Sequence, residues 1–383
     1  MKIIQVTTFF HPIVGGVETQ ALGLARALKK EGHQVEVITS DSAKNKGRIK
    51  EKHDEIDGIK ITRCKTWFGT SYFYKIYPGL IFKLFKKDFD IIHVHGFRKF
   101  EVYAALLVTK IKKKKLVVTS HNPFVVKEKS RGKVLNFFVK LHDITLGKLF
   151  SRYIDQVIAI TKEELEFLEK FNIAPNRINV IPNGVSELFF GEGKKENFLK
   201  AFNISVTKWK NIVVTVGRIH KVKGFQNLKH AADHMKNTLF IIAGADDGYL
   251  SELKKYFDSN RNVILLERTV SHEQVNDMFA LGDLFVMPSL HEAFGITLLE
   301  AMASGLPVIS TIHGGPKEIV KESFGVLVEP EKQKILTNKI KWMLEDEKRL
   351  EKMGIEARKE AGKYRWKRIV NSVVKVYEEI LSH

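Results

Sequence analysis

The sequence predicts an α/β protein built from two doubly wound domains. Three observations carry that prediction. The chain has 383 residues, 44% of them hydrophobic, too many for one ordinary core. Short apolar runs alternate with amphipathic helical patterns, the mark of parallel sheets covered on both faces. The alternation falters once, near residues 185–205, and then starts again.

The first series places strands at 3–8 (IIQVTT), 34–39, 59–64, 90–96 (DIIHVHG), 115–120, 156–161 and 177–182. Helical patterns lie between most of them. The first, ETQALGLARALKK (18–30), has a helical period and stops at Gly32. Residues 186–210 are polar and lysine-rich, with the composition of a linker. The second series has strands at 211–217, 238–244, 262–267, 283–289 (DLFVMPS) and 306–311. The domains are therefore expected at 1–185 and 205–364. In such sheets ligands bind beyond the carboxyl ends of the strands, so residues just after each strand matter most. Two facing domains would put a cleft between two sets of such ends.

Composition narrows the function. The lone cysteine, Cys64, cannot form an intramolecular disulfide, which fits a reducing cytoplasm. The N-terminal MKIIQVTTFFHPIVGG is broken early by Gln5, Thr7, Thr8, His11 and Pro12 and does not read as a signal peptide. No run of about 18 apolar residues marks a membrane span. The 63 basic and 44 acidic residues give a net charge of +19, which favours an anionic partner over a neutral one. Nucleic acid, an acidic membrane and phosphorylated substrates all qualify, and part of the surplus is a solvated lysine surface. Nucleic acid is disfavoured by the lack of an RNP, zinc-finger or helix-turn-helix signature. Serine-hydrolase, zincin and P-loop signatures are also lacking.

Four clusters fall in post-strand positions. Gly15-Gly16 opens the first helix, where backbone can approach an anion closely. Gly217-Arg218 follows a strand and lies five residues before Lys223-Gly224, a pair of cations suited to a diphosphate. The third is PSLHEAFGITLLEAMASGLPVI (288–309). Here the N–H groups of Gly295, Ile296 and Thr297 could meet a phosphate, and Glu292 and Glu300 could accept from sugar and ribose hydroxyls. The fourth is a set of histidines, His93 and His95 in HVHG and His121 directly after a strand. The HxH pair lacks further ligands at a motif-like spacing, so polar partners or cleft roles are expected rather than a metal. For each cluster the plain alternative is an ordinary turn, a solvated charge or a core histidine.

In order and spacing these pieces resemble the retaining glycosyltransferases of family 4, which have the GT-B fold. The resemblance runs through GGVE (15–18), HVHG (93–96), SHNPF (120–124), IPNGV (181–185), VGR (216–218) with KG (223–224), the two glutamates Glu292 and Glu300, and GG (314–315) with Glu318. It implies roles. Arg218 and Lys223 would neutralise a donor diphosphate, with Gly217 beside them. Glu292 would bond sugar hydroxyls, Phe294 and Gly295 would present backbone to sugar and phosphate, and Glu300 would hold ribose. Gly16 would approach the diphosphate from the other domain, and His121 would lie near the transferred sugar. One departure is Ala293 in HEAFG, where glycine is more usual. The resemblance further implies hexosyl transfer from a nucleotide-sugar by front-side attack. No resident cofactor or metal is expected, since there is no DxD motif in a suitable place. The last stretch, 364–381, is expected to return as a helix to the N-terminal domain, giving that domain residues 365–383 as well.

The acceptor is expected on the N-terminal domain. In 72–89, Leu80, Ile81, Leu84 and Phe85 make an apolar side and Lys83, Lys86 and Lys87 a basic one. The stretch 131–152 repeats the theme. Such segments suit an anionic membrane surface and a lipid-linked or glycolipid acceptor, with helices simply packed on the sheet as the alternative. A nucleotide-sugar epimerase on the same fold is the rival enzyme.

Overall fold

The structure is a computed structural model that describes residues 1–43, 47–69, 75–121 and 133–382. It divides into two compact units, Met1–Gly184 with Trp366–His383, and Val185–Arg365.

The first unit is built on eight strands: β1 (Lys2–Thr7), β2 (Gln34–Ser40), β3 (His53–Ile56), β4 (Ile59–Cys64), β5 (Ile91–His95), β6 (Lys115–Thr119), β7 (Gln156–Ala159) and β8 (Ile178–Val180). Their order is β3-β4-β2-β1-β5-β6-β7-β8, all parallel except the β3–β4 hairpin. Alternate residues serve opposite faces. Ile4, Val6, Ile92, Val94, Leu116 and Val118 pack under the helices Gly79–Phe85 and Phe100–Lys112. Ile3, Ile91 and Val117 pack under the helices Gly16–Lys30 and Trp366–Leu381.

The final helix thus lies in the first unit, burying Ile369, Val370, Val373, Val376, Tyr377 and Ile380. Two glycines make room for it. A Cβ on Gly23 or on Gly184 would come within 2.4 Å of the Trp366 ring. Side chains there would push the indole out of its seat, a kind of overpacking that typically costs about 1–3 kcal/mol.

The second unit has six parallel strands: β9 (Asn211–Val216), β10 (Thr238–Ala243), β11 (Val263–Leu266), β12 (Leu284–Met287), β13 (Val308–Thr311) and β14 (Gly325–Val328). The order is β11-β10-β9-β12-β13-β14. Chain direction across the sheet reverses between β9 and β12, as it does between β1 and β5 in the first unit. Those are the switch points at which doubly wound sheets take ligands.

The stretch 186–210 is not a linker. Ser186 caps a short 3-10 turn at Glu187–Phe190, and a helix follows at Lys195–Phe202. Phe189 and Phe198 are fully buried, and the Lys194 N–H donates to Asp277 Oδ1 at 2.7 Å. The polar composition belongs to the exposed side of elements that pack on the second unit. Strands β3 and β14 were not anticipated either.

Candidate active site

In the second unit, loops leaving the adjacent strands β9 and β12 carry most of the candidate residues. Gly217 follows β9 and donates its N–H to Ala243 O at 3.0 Å. Gly244 has to be a glycine for this fit, because a Cβ there would lie 1.8 Å from Gly217 O. The basic loop then turns back at Gly224, whose φ of +68° favours glycine. A Cβ at Gly224 would also sit 2.0 Å from Pro288 O. This close approach, with Leu290 N donating to Val222 O at 2.8 Å, clamps the Lys223 loop onto the exit of β12.

The clamp brings two of the predicted residues together. Lys223 Nζ lies 2.7 Å from Glu292 Oε2, with both side chains mostly shielded from solvent. Ser289, fully buried, donates to the same oxygen at 3.2 Å. Arg218 does not join them; its guanidinium pairs with Asp247, at the exposed turn after β10. Cation and carboxylate therefore neutralise one another at both positions, and any anion arriving at either cation would have to displace a carboxylate.

The glycine pair 314–315 holds Glu292 in place. Gly314 has φ +83° and bridges to Glu292, and a Cβ on it would be 1.8 Å from Glu292 O. The Gly315 N–H donates to that oxygen at 3.0 Å. Phe294 is buried with its ring 6.3 Å from that of Tyr364, so its side chain anchors the loop and leaves only backbone for a ligand. Ala293 is half-buried.

Gly295 follows in a left-handed conformation, φ +94°, as the cap of the helix Ile296–Ala303. It supplies no capping side chain, and the first N–H groups of that helix have no carbonyl within it to bond. An N-terminus of this kind favours an anion. Glu300 sits one turn further on, 5% exposed, among apolar neighbours. Burial pushes its carboxyl up from 4.5 to about 8, so it is largely protonated at neutral pH.

In the first unit, Gly15 caps the helix Gly16–Lys30 without a side chain, which leaves the same kind of exposed N-terminus after β1. His121, two residues past β6, has φ +52°, an uncommon strained conformation for a histidine. Its Nε2 lies 3.1 Å from His95 Nδ1. Burial first, then the neighbouring His95 and Lys99, hold it well below the usual histidine range. His93 and His95 both have polar partners: His93 bonds Tyr377 and Thr119, and His95 bonds Gln5 and His121. His95 and His121 border a cavity of about 30 Å³ with Thr119, Asn183 and Trp366. That volume holds one water-sized group, far less than a sugar nucleotide. Residues 122–124 of SHNPF lie outside the described residues.

Sequence reasoning missed Asp247, Ser289, Gln5 and Thr119 as partners. Only Asp247 left a signal, as part of an acidic-glycine turn directly after a strand.

Comparison with known proteins settles the family. Residues 14–187 match the model for glycosyltransferase family 4, and residues 197–360 match that for glycosyl transferases group 1. The chain belongs to glycosyltransferase family 4. An uncharacterized glycosyltransferase of Methanocaldococcus jannaschii is 28% identical, with 99% of this chain and 98% of that one aligned. A GDP-mannose:cellobiosyl-diphosphopolyprenol alpha-mannosyltransferase of Xanthomonas oryzae pv. oryzae is 26% identical over 100% of this chain and 97% of its own. Sucrose-phosphate synthase from Thermosynechococcus elongatus superposes with a TM-score of 0.78 at 20% identity, covering 100% of both chains, which shows the fold. The protein is a glycosyltransferase of the GT-B fold.

Proposed function

We propose that this glycosyltransferase moves a hexosyl group, with retention of configuration, from a nucleotide-diphosphate sugar to the hydroxyl of a lipid-linked or glycolipid acceptor on the cytoplasmic face of a membrane. The observation that carries the reading is the Lys223–Glu292 pair, set close to the uncapped helix start at Gly295. The ammonium and the helix N-terminus suit a diphosphate, and the carboxylate suits sugar hydroxyls. In the reaction the bond from the anomeric carbon to the diphosphate breaks and a bond from that carbon to the acceptor oxygen forms on the same face. The acceptor proton passes to the departing diphosphate. The protein's part is to position the reactants and to stabilise the leaving charge through Arg218, Lys223 and the helix N-termini. The family resemblance assigns Gly15 and Gly16 to the diphosphate, Glu300 to the ribose and His121 to the sugar. A thermal-shift panel of UDP-, GDP- and ADP-sugars tests the donor class: one of them should raise the melting temperature in a concentration-dependent way. No shift with any of the three would contradict the reading.

The lipid reading rests on one of the two basic segments. The helix Gly79–Phe85 turns Leu80 and Leu84 into the core, with Ile81 and Phe85 packed against it, so its apolar side is used up internally. Residues 72–74 and 131–132 lie outside the described residues. The segment 133–151 is different. Tyr103 bonds His142, Arg98 pairs with Asp143, and the Tyr103 and Phe150 rings meet at 5.4 Å, which ties the segment to the helix Phe100–Lys112. Phe137, Phe138, Leu141 and Ile144 stay exposed, at a spacing that puts them on one side of a helix. Phe137 is 62% and Ile144 64% exposed, with Lys140 and Lys148 in the same stretch. An apolar stripe with basic neighbours suits an anionic bilayer surface. The diphosphopolyprenol acceptor of the Xanthomonas relative points the same way. Among the described residues no helix is long and apolar enough to cross a membrane. We expect the chain to float with phosphatidylglycerol vesicles and to prefer them to phosphatidylcholine. The double variant Phe137→Ser/Phe138→Ser should weaken that binding at least about tenfold, since each buried phenyl ring contributes roughly 1.5–3 kcal/mol. Equal partition between the two lipids would contradict a role for the basic stripe.

A further inference from the structure

We infer that Gln5 and His95 are positioning residues that lock His121 in its Nδ1–H tautomer, so that His121 offers the sugar a fixed hydrogen-bond donor rather than a base. The inference rests on the proposed placement of His121 at the transferred sugar, but its geometry lies wholly within the first unit.

The direction of the relay begins at a group that can only accept. Gln5, fully buried on β1, is 2.9 Å from the carbonyl oxygen of Ala21 and 3.2 Å from the backbone N–H of Ala25. Only one orientation of its amide satisfies both: Nε2 donates to Ala21 O, and Oε1 accepts from Ala25 N. In that orientation Nε2 also donates to His95 Nε2 at 3.2 Å. An imidazole nitrogen that accepts carries no proton. The His95 ring is neutral, because burial, helped by Lys99, pulls it down to about 3. Its single proton is therefore on Nδ1, which lies 3.1 Å from His121 Nε2 and donates to it. His121 is neutral for the same reason, so its own proton is left on Nδ1. That nitrogen has no hydrogen-bond partner among the described residues.

The surroundings keep the relay from rotating. The His93 ring stacks on His95 with centroids 4.6 Å apart, and the His121 ring lies 29° from the plane of His95 with centroids 5.4 Å apart, the spacing of two imidazoles joined edge to edge by a hydrogen bond. His93 is itself held by Tyr377 at 2.5 Å and Thr119 at 2.7 Å. This assigns the HxH spacing a purpose: His93 wedges the ring that His95 uses to orient His121. A donor-only nitrogen next to a sugar selects an oxygen that accepts, and it cannot take the acceptor's proton, which leaves that step to the diphosphate.

Long-range 1H–15N correlation spectra of the full chain labelled with 15N-histidine test the assignment. The His121 signals are identified by their loss in His121→Gln. Between pH 6 and 8 we expect both His95 and His121 to carry hydrogen on Nδ1, the minor form of free histidine in water. Hydrogen on His121 Nε2, or an imidazolium in that range, would overturn the relay. The kinetic arm separates positioning from packing. His95→Leu removes the donor and should lower kcat about tenfold, in line with losing one hydrogen bond, with a smaller change in donor KM. His95→Asn restores an N–H near the former Nδ1 and should regain most of that loss. Equal impairment in the two variants would overturn the positioning role. If no sugar nucleotide is turned over at all, the proposed function fails and the spectrum alone decides the relay.

Discussion

Replacing Lys223 by alanine is expected to lower donor kcat/KM about a hundred- to a thousandfold while leaving the fold intact. The size follows from where the charge acts. A leaving diphosphate gains negative charge as the glycosidic bond breaks, and a preorganised donor aimed at that charge is typically worth about two to three orders of magnitude. The ammonium is already in place, because the β12 exit and Gly224 clamp its loop. Without it, the Glu292 carboxylate keeps, among the described residues, only the Ser289 hydroxyl as a hydrogen-bond partner. Glu292→Ala should cost a similar factor by loss of the sugar contact. The double variant should be little worse than either single one, since residues that act as a unit are not additive. Steady-state kinetics checks the rates and urea denaturation checks the fold. Near-normal turnover in both single variants would sink the site assignment.

The second large effect is a pH dependence carried by Glu300. Its carboxyl is pushed up to about 8 by burial alone. A carboxylate accepts ribose hydroxyl protons better than a carboxylic acid does, so donor binding should favour the ionised form. Donor affinity is therefore expected to rise as the pH climbs toward 8 and to level off above it. With half of the carboxyl ionised at pH 8 and about one part in a hundred at pH 6, the upper limit between those two pH values is about fiftyfold. Glu300→Gln should bind donor with little pH dependence, losing affinity mainly on the alkaline side. The free protein should show the opposite trend in stability. Between the ordinary value of 4.5 and about 8 the folded state holds a proton that the unfolded chain gives up, so stability falls as the pH rises through that window. The glutamine variant should lack this component. Donor titrations from pH 6 to 9 on both proteins check it, and parallel pH profiles would contradict it.

Much of this architecture was legible in the sequence because it lies in local patterns. The apolar runs that became β1, β5, β9 and β12 and the glycines after them follow from periodicity and turn chemistry. What escaped notice was either short or long-range. Strand β3 is a four-residue hairpin arm, HDEI, with two acidic residues and a single apolar one, and only Asp57-Gly58 marked its turn. The helix KENFLKAF has one buried phenylalanine in a polar sequence, so it resembled a linker until its partners were seen. The site divides in the same way. Glu292 and Lys223 could be nominated separately, but their contact depends on a backbone approach at Gly224 and Pro288 that is 64 residues apart in the chain. Pairing Arg218 with Asp247, and threading Gln5 through His95 to His121, likewise depends on strand order, which no local pattern contains.

Transfer from a nucleotide-sugar with retention is decided by the anomeric configuration of the product. The full chain would be incubated with the sugar nucleotide selected by thermal shift and a lipid-linked acceptor, and the product followed by 1H NMR from the first turnovers. We predict a new glycoside with the same anomeric configuration as the donor. An inverted glycoside, or an epimerised donor with no glycoside formed, would contradict the account.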